Sequence, residues 1–100
     1  MWHRVAAVGD VPVGSAREFA AGGRVVAVFH VGGNFYALDG ICPHAGGPLG
    51  EGSLSGSTVT CPWHGWQFDV TTGRQALNPR IEQTMFPVKV EGDAVWVEIP

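Results

Sequence analysis

Basic clusters, long apolar runs and spare cysteines are all missing from this chain of 100 residues. Six lysines and arginines stand against nine aspartates and glutamates, for a formal net charge of −3. Without a basic run to neutralise phosphates, nucleic acid is not an expected partner. No stretch approaches the roughly 20 apolar residues of a membrane helix. The opening MWHRVAAVGDVPVGSAREFA carries Asp10 and Glu18, and reads as neither a signal peptide nor a span. There is no nucleotide fingerprint, since Gly22-Gly23-Arg24 reads as a turn with no G-x-G-x-x-G after it. No Ser-His-Asp set, carboxylate pair or phosphate loop stands out, so nothing points to catalysis by the chain itself. Repeats, linkers and low-complexity tracts are absent.

What is present suits one β-type domain. Hydrophobic residues make up 45% of the chain, with fifteen glycines and seven prolines punctuating it. Val25 to Val31 (VVAVFHV) is rich in β-branched and aromatic residues, and Gly32-Gly33-Asn34 reads as a turn into a partner strand, Phe35 to Leu38. Thr58 to Cys61 and Trp66 to Val70 read as short strands. Pro87 to Glu91 and Ala94 to Ile99 pair across Gly92-Asp93, with Val95, Val97 and Ile99 alternating against Trp96 and Glu98. Ser15 to Ala21 carries a mixed helix and strand signal, and strand is the preferred reading. The expected fold class is all-β and antiparallel. Residues 40–70 form a glycine-rich excursion, where backbone can pass close to a ligand.

The two cysteines sit in short clusters, Cys42-Pro-His44 and Cys61-Pro-Trp-His64. Two soft thiolates and two imidazoles make a complete ligand set for one metal centre. A structural zinc site takes the same ligands. The Cys-x-His spacing, however, is tight for two ligands on one ion. With both cysteines assigned as ligands no disulfide remains, and a cytoplasmic location is expected.

The longer boxes, CPHAGGPLG and CPWHGWQFD, closely resemble the cluster-binding boxes of the Rieske iron–sulfur family. The resemblance implies one [2Fe–2S] cluster, with Cys42 and Cys61 on one iron and His44 and His64 on the other. Each loop then supplies one sulfur and one nitrogen, and Pro43 and Pro62 stiffen the loops by fixing φ. It also implies a β-sandwich base, residues 1–39 and 71–100, carrying a small cluster-binding subdomain of about residues 40–70, the whole chain being one domain. Neutral imidazoles in place of two thiolates leave the centre less negative, which raises its potential above that of plant-type ferredoxins. Ferric iron acidifies the remote imidazole N–H, so electron uptake at high pH is expected to couple to proton uptake.

The quinol-oxidising branch of the family has a disulfide between its ligand loops, and serine and tyrosine hydroxyls near the cluster sulfurs. The matching positions here are Gly47 and Trp63 for the bridge, and Trp66 and Phe68 for the hydroxyls. Neither device is available, so the expected potential lies at the low end of the Rieske range, about −150 mV. A free-standing domain of this length resembles the ferredoxin component of bacterial aromatic-ring dioxygenase systems. That implies a monomeric carrier, itself no enzyme, between a flavin-dependent reductase and a terminal oxygenase. CPWHGW is also similar to the Rieske domain of terminal oxygenases. CPHAGGPL is similar to the small Rieske subunit of nitrite reductases, which leaves an accessory subunit as the alternative.

Other residues take plainer readings. His3 and His30 lie in strand-like segments with no partner cysteine and are expected to be structural. Trp66 is expected to pack under the loops and Trp63 to shield the cluster. Pro48 and Leu49 are assigned to a loop covering the cluster. Asp69 reads equally as a surface charge or a loop-orienting group. Glu51 is expected to be solvated, and Arg74 and Arg80 have no pattern that gives them a phosphate or substrate role.

Overall fold

The computed structural model describes residues 1–43, 46–63 and 65–100. Among the described residues ten strands follow one another. They are β1 (Trp2–Ala7), β2 (Ala16–Ala21), β3 (Arg24–Val31), β4 (Asn34–Asp39), β5 (Ser53–Ser55), β6 (Thr58–Thr60), β7 (Gln67–Asp69), β8 (Met85–Phe86), β9 (Val88–Glu91) and β10 (Ala94–Glu98). Among the described residues, helix is confined to two single 3-10 turns, Val8–Asp10 and Leu49–Glu51.

The strands form three antiparallel sheets, ordered β1-β10-β9, β2-β3-β4-β8 and β5-β6-β7. The four-stranded sheet lies in the middle, and β3 explains why. Val26, Ala27, Val28 and Phe29 all have zero exposure. Side chains alternate across a strand, so such a run requires cover on both faces. Val26 and Val28 face the first core, with Val95, Val97 and Ile99 of the C-terminal strand and its extension. Ala27 and Phe29 face the second, with Leu38, Leu49, Val59, Phe68, Val70 and both cysteines. One strand therefore ties the terminal sheet to the small sheet.

The alternation expected of the last strand is present. Val95 and Val97 are fully buried, while Trp96 and Glu98 are half-buried on the other face. The outer face carries a cation stack, with Lys89 Nζ 4.5 Å from the Trp2 ring centroid and 5.9 Å from that of Trp96. Of the segment from Ser15 to Ala21, all but Ser15 forms strand β2, paired with β3 across the Gly22-Gly23 turn. His30 is structural, as expected. Its Nδ1 lies 2.7 Å from the Val11 carbonyl, which can only accept, so Nδ1–H donates. Its ring stacks on Phe35 at 4.1 Å.

Candidate metal centre

The two cysteine loops are built alike. In the first, the Cys42 N–H donates to the Gly47 carbonyl at 2.9 Å. In the second, the Cys61 N–H donates to the Trp66 carbonyl at 2.7 Å. Each loop thus closes on the residue five positions after its cysteine. Each has proline directly after the cysteine and glycine in the left-handed region directly before the closing residue, Gly46 at φ +74° and Gly65 at φ +72°. A side chain at either glycine would be strained, and the proline stiffens the opposite arm.

Different elements deliver the loops to one place. β4 leads into the first, and Gly40 holds that path down by donating to the Val25 carbonyl at 2.9 Å. β6 and β7 flank the second, pairing Thr60 with Gln67 and Val59 with Phe68. Cys42 and Cys61 meet in the second core, each 1% exposed and neither in a disulfide. Both belong to the same buried cluster. Burial pushes the Cys61 thiol up from its ordinary pKa. A hydrogen bond from the Trp63 backbone works against this, and the Cys42 thiol adds to the rise. Two thiolates side by side in an apolar core are unstable without positive charge between them. The pair is a donor set that a soft metal ion fits, since the metal would supply that charge.

Gly47 is where the loops touch. A Cβ placed on it would lie 2.8 Å from Trp63 Cγ, 2.9 Å from Trp63 Cβ and 2.9 Å from Cys61 Sγ. Positions 47 and 63, matched by the resemblance to the disulfide of the quinol-oxidising branch, lie side by side as a glycine against an indole. Trp63 remains 51% exposed and Ile41 53%, so each loop has an apolar residue at its outer edge. Trp66 is half-buried against the second core, and its ring lies 6.3 Å from that of Phe68, which has zero exposure. Packing under the loops is the role expected for it.

Leu49 has zero exposure within the second core, in the same cluster as both cysteines, on a 3-10 turn whose start bridges Pro48 to Ile41. The other half of the expected ligand set, His44 and His64, lies outside the described residues. Among the described residues no group of three or more metal-binding side chains forms.

Asp69 orients a turn. Its Oδ1 accepts from the Thr71 N–H at 2.9 Å and the Thr71 hydroxyl at 2.6 Å, at the end of β7. Asp69→Ala should cost about 1 kcal/mol. In a domain of this size that lowers the melting temperature by about 4–8 °C, readable by calorimetry. An unchanged melting temperature would return Asp69 to the status of a surface charge. Arg74 pairs with Glu82 at 3.3 Å, with both side chains more than half exposed, which accounts for it without a ligand.

Comparison with known proteins agrees with this chemistry. The family described as "Rieske [2Fe-2S] domain" matches residues 1–95. The ferredoxin component of a naphthalene 1,2-dioxygenase system from Pseudomonas aeruginosa is 32% identical over 99 residues, 98% of this chain and 95% of that one. The ferredoxin subunit of a 3-phenylpropionate/cinnamic acid dioxygenase from Shigella boydii is 38% identical over 95 residues, covering 93% and 89%. Among solved structures, one of reduced oxygenase and oxidized ferredoxin in complex, from carbazole 1,9a-dioxygenase, superposes with a TM-score of 0.86. It is 37% identical and covers 96% of this chain and 91% of that one.

Proposed function

We infer, from the premise that the chain belongs to the Rieske [2Fe–2S] domain family, that it is the ferredoxin component of an aromatic-ring dioxygenase system. It carries one Rieske cluster and is an electron carrier, not the catalyst. The observation that carries the reading is the buried, unbridged Cys42–Cys61 pair joined by two similarly closed loops. That donor set fits the cysteine half of such a cluster, and only a residue without a Cβ at position 47 keeps clear of Cys61 Sγ, which a Cβ would approach to 2.9 Å. Cys42 and Cys61 would hold one iron, and His44 and His64 the other, by their match to the family boxes. Residues 40–70 would then form the cluster-binding part, a division supported by the separate β5-β6-β7 sheet.

When bound, the cluster takes up and gives up one electron at a time. The chain's own residues do the rest. Phe29, Leu49 and Phe68 close the inner side of the site against water. Pro43, Pro62 and Trp63 form the exposed outer edge. Ile41 and Trp63 would supply apolar contact to the terminal oxygenase, in a small, transient interface below about 1,200 Å². A flavin-dependent reductase would be the donor. No helix among the described residues is long and apolar enough to cross a membrane, in keeping with a proposed cytoplasmic location.

Protein-film voltammetry, with electron paramagnetic resonance of the reduced protein, tests the reading. A rhombic signal and a potential near the low end of the Rieske range, about −150 mV, are expected. Phe68 supports that value, since a fully buried phenylalanine offers no hydroxyl to a cluster sulfur. A potential above about +100 mV would sink the low-potential donor role. A metal-loaded protein with no redox wave would remove the cluster itself.

A further inference from the structure

We propose that Gln83 is a positioning residue. Its carboxamide clamps the stem of the Cys42 loop to the turn that follows the Cys61 loop. This rests on the Rieske reading given above. Gln83 is 8% exposed. Its Nε2 donates to the Asp39 carbonyl at 2.8 Å and to the Ile41 carbonyl at 2.6 Å, so both amide hydrogens are used.

The geometry continues a sheet by other means. β8 pairs with β4, Phe86 opposite Ala37 and Met85 opposite Leu38, and the Asp39 N–H still donates to the Thr84 carbonyl at 2.8 Å. The backbone then departs. The Gln83 N–H donates to the Gly73 carbonyl at 2.6 Å instead. The side chain takes over the ladder, satisfying the carbonyls of Asp39 and Ile41, which lie on one side of the stem. The intervening Gly40 carbonyl accepts from Leu49 N–H on the other side, at 2.9 Å. Cys42 follows directly.

The second arm reaches the other loop. Gly73 closes the turn after β7, its N–H donating to the Asp69 carbonyl at 2.7 Å, and β7 is the strand that leaves the Cys61 loop. One residue therefore holds the Cys42 stem through its side chain and the β7 turn through its backbone. The spacing of the two thiols depends on both. Residues that fix ligands in place typically alter metal affinity about ten- to a hundredfold when changed.

The experiment compares Gln83→Met, which keeps length and packing but has no N–H, with Val95→Ala, a buried site in the first core away from both loops. Both should lower the melting temperature. In Gln83→Met alone, cluster release should quicken about ten- to a hundredfold, the resonance spectrum should shift or broaden, and the potential should move. Amide exchange on the full chain without metal reads the clamp independently, and Gly40 and Cys42 should lose protection in Gln83→Met but not in Val95→Ala. Gln83→Glu, whose carboxylate has no donor, serves as the second variant if Gln83→Met does not accumulate. Release, spectrum and exchange at wild-type values would overturn the clamp. A wild-type chain that binds no cluster would overturn the Rieske reading, while the exchange comparison would still decide whether Gln83 holds the loop.

Discussion

Cys61→Ser and Cys42→Ser should each yield a folded chain that holds no cluster, with visible absorbance, resonance signal and electron transfer all lost. The expected size follows from chemistry more than from space. Serine fills nearly the same volume, but its hydroxyl stays protonated at neutral pH and is a hard, weak ligand for iron. The thiols are 1% exposed at the floor of the site, so water cannot substitute for the missing donor. Folding itself should survive. The first core contains neither cysteine, and the second keeps Phe29, Leu38, Leu49, Val59, Phe68 and Val70. A buried hydroxyl beside the remaining thiol costs about 1–3 kcal/mol if poorly paired. Iron and sulfide per chain are the measurements. His3→Ala, which touches neither loop in sequence or in the second core, should keep the full complement of both. A serine variant with wild-type iron, sulfide and spectrum would show that the cysteine pair is not the anchor.

These residues were legible because their signal is local. Cys-Pro-His and Cys-Pro-Trp-His are contiguous, and their ligand chemistry can be argued before any fold is known. The strands from Val25 to Val31 and Ala94 to Glu98 were legible for a similar reason, since β-branched runs and alternation are short-range patterns. What a run cannot state is which layers cover it. The burial of Val26 to Phe29 on both faces of β3 depends on a third sheet whose strands have only three residues each, and Ser53–Ser55 carries little strand signal. Pairing with Thr58–Thr60 makes it a strand, not propensity. The two residues of β8 are set by β4 in the same way. The burial of Leu49 in the second core was not legible either, because it depends on a 3-10 turn that carries no periodic signal. Gln83 gave no signal at all. Its partners lie 42 and 44 residues back, and a glutamine before a strand is ordinary in sequence.

Gly47→Ala should lower cluster occupancy several-fold while the rest of the domain keeps its fold. The added Cβ would lie under 3 Å from three atoms, Trp63 Cγ, Trp63 Cβ and Cys61 Sγ. Such contacts force a shift, and overpacking of this kind costs about 1–3 kcal/mol. What shifts decides the outcome. The indole of Trp63 is half exposed and can swing outward, but its Cβ is anchored on the loop and the thiol is walled in by the second core. The loops must therefore separate, and the Cys42 N–H bond to the Gly47 carbonyl is the first restraint they would strain. The contact argument also predicts its own rescue. Trp63→Gly removes both tryptophan atoms from the list, leaving only the sulfur. Gly47→Ala combined with Trp63→Gly should then recover part of the occupancy lost by Gly47→Ala alone, a coupling that a double-mutant cycle measures directly. Additive losses would mean that the loops do not meet at Gly47 when the cluster is bound. Recovery would place the cross-loop contact, and with it the spacing of the two thiols, on a glycine and an indole.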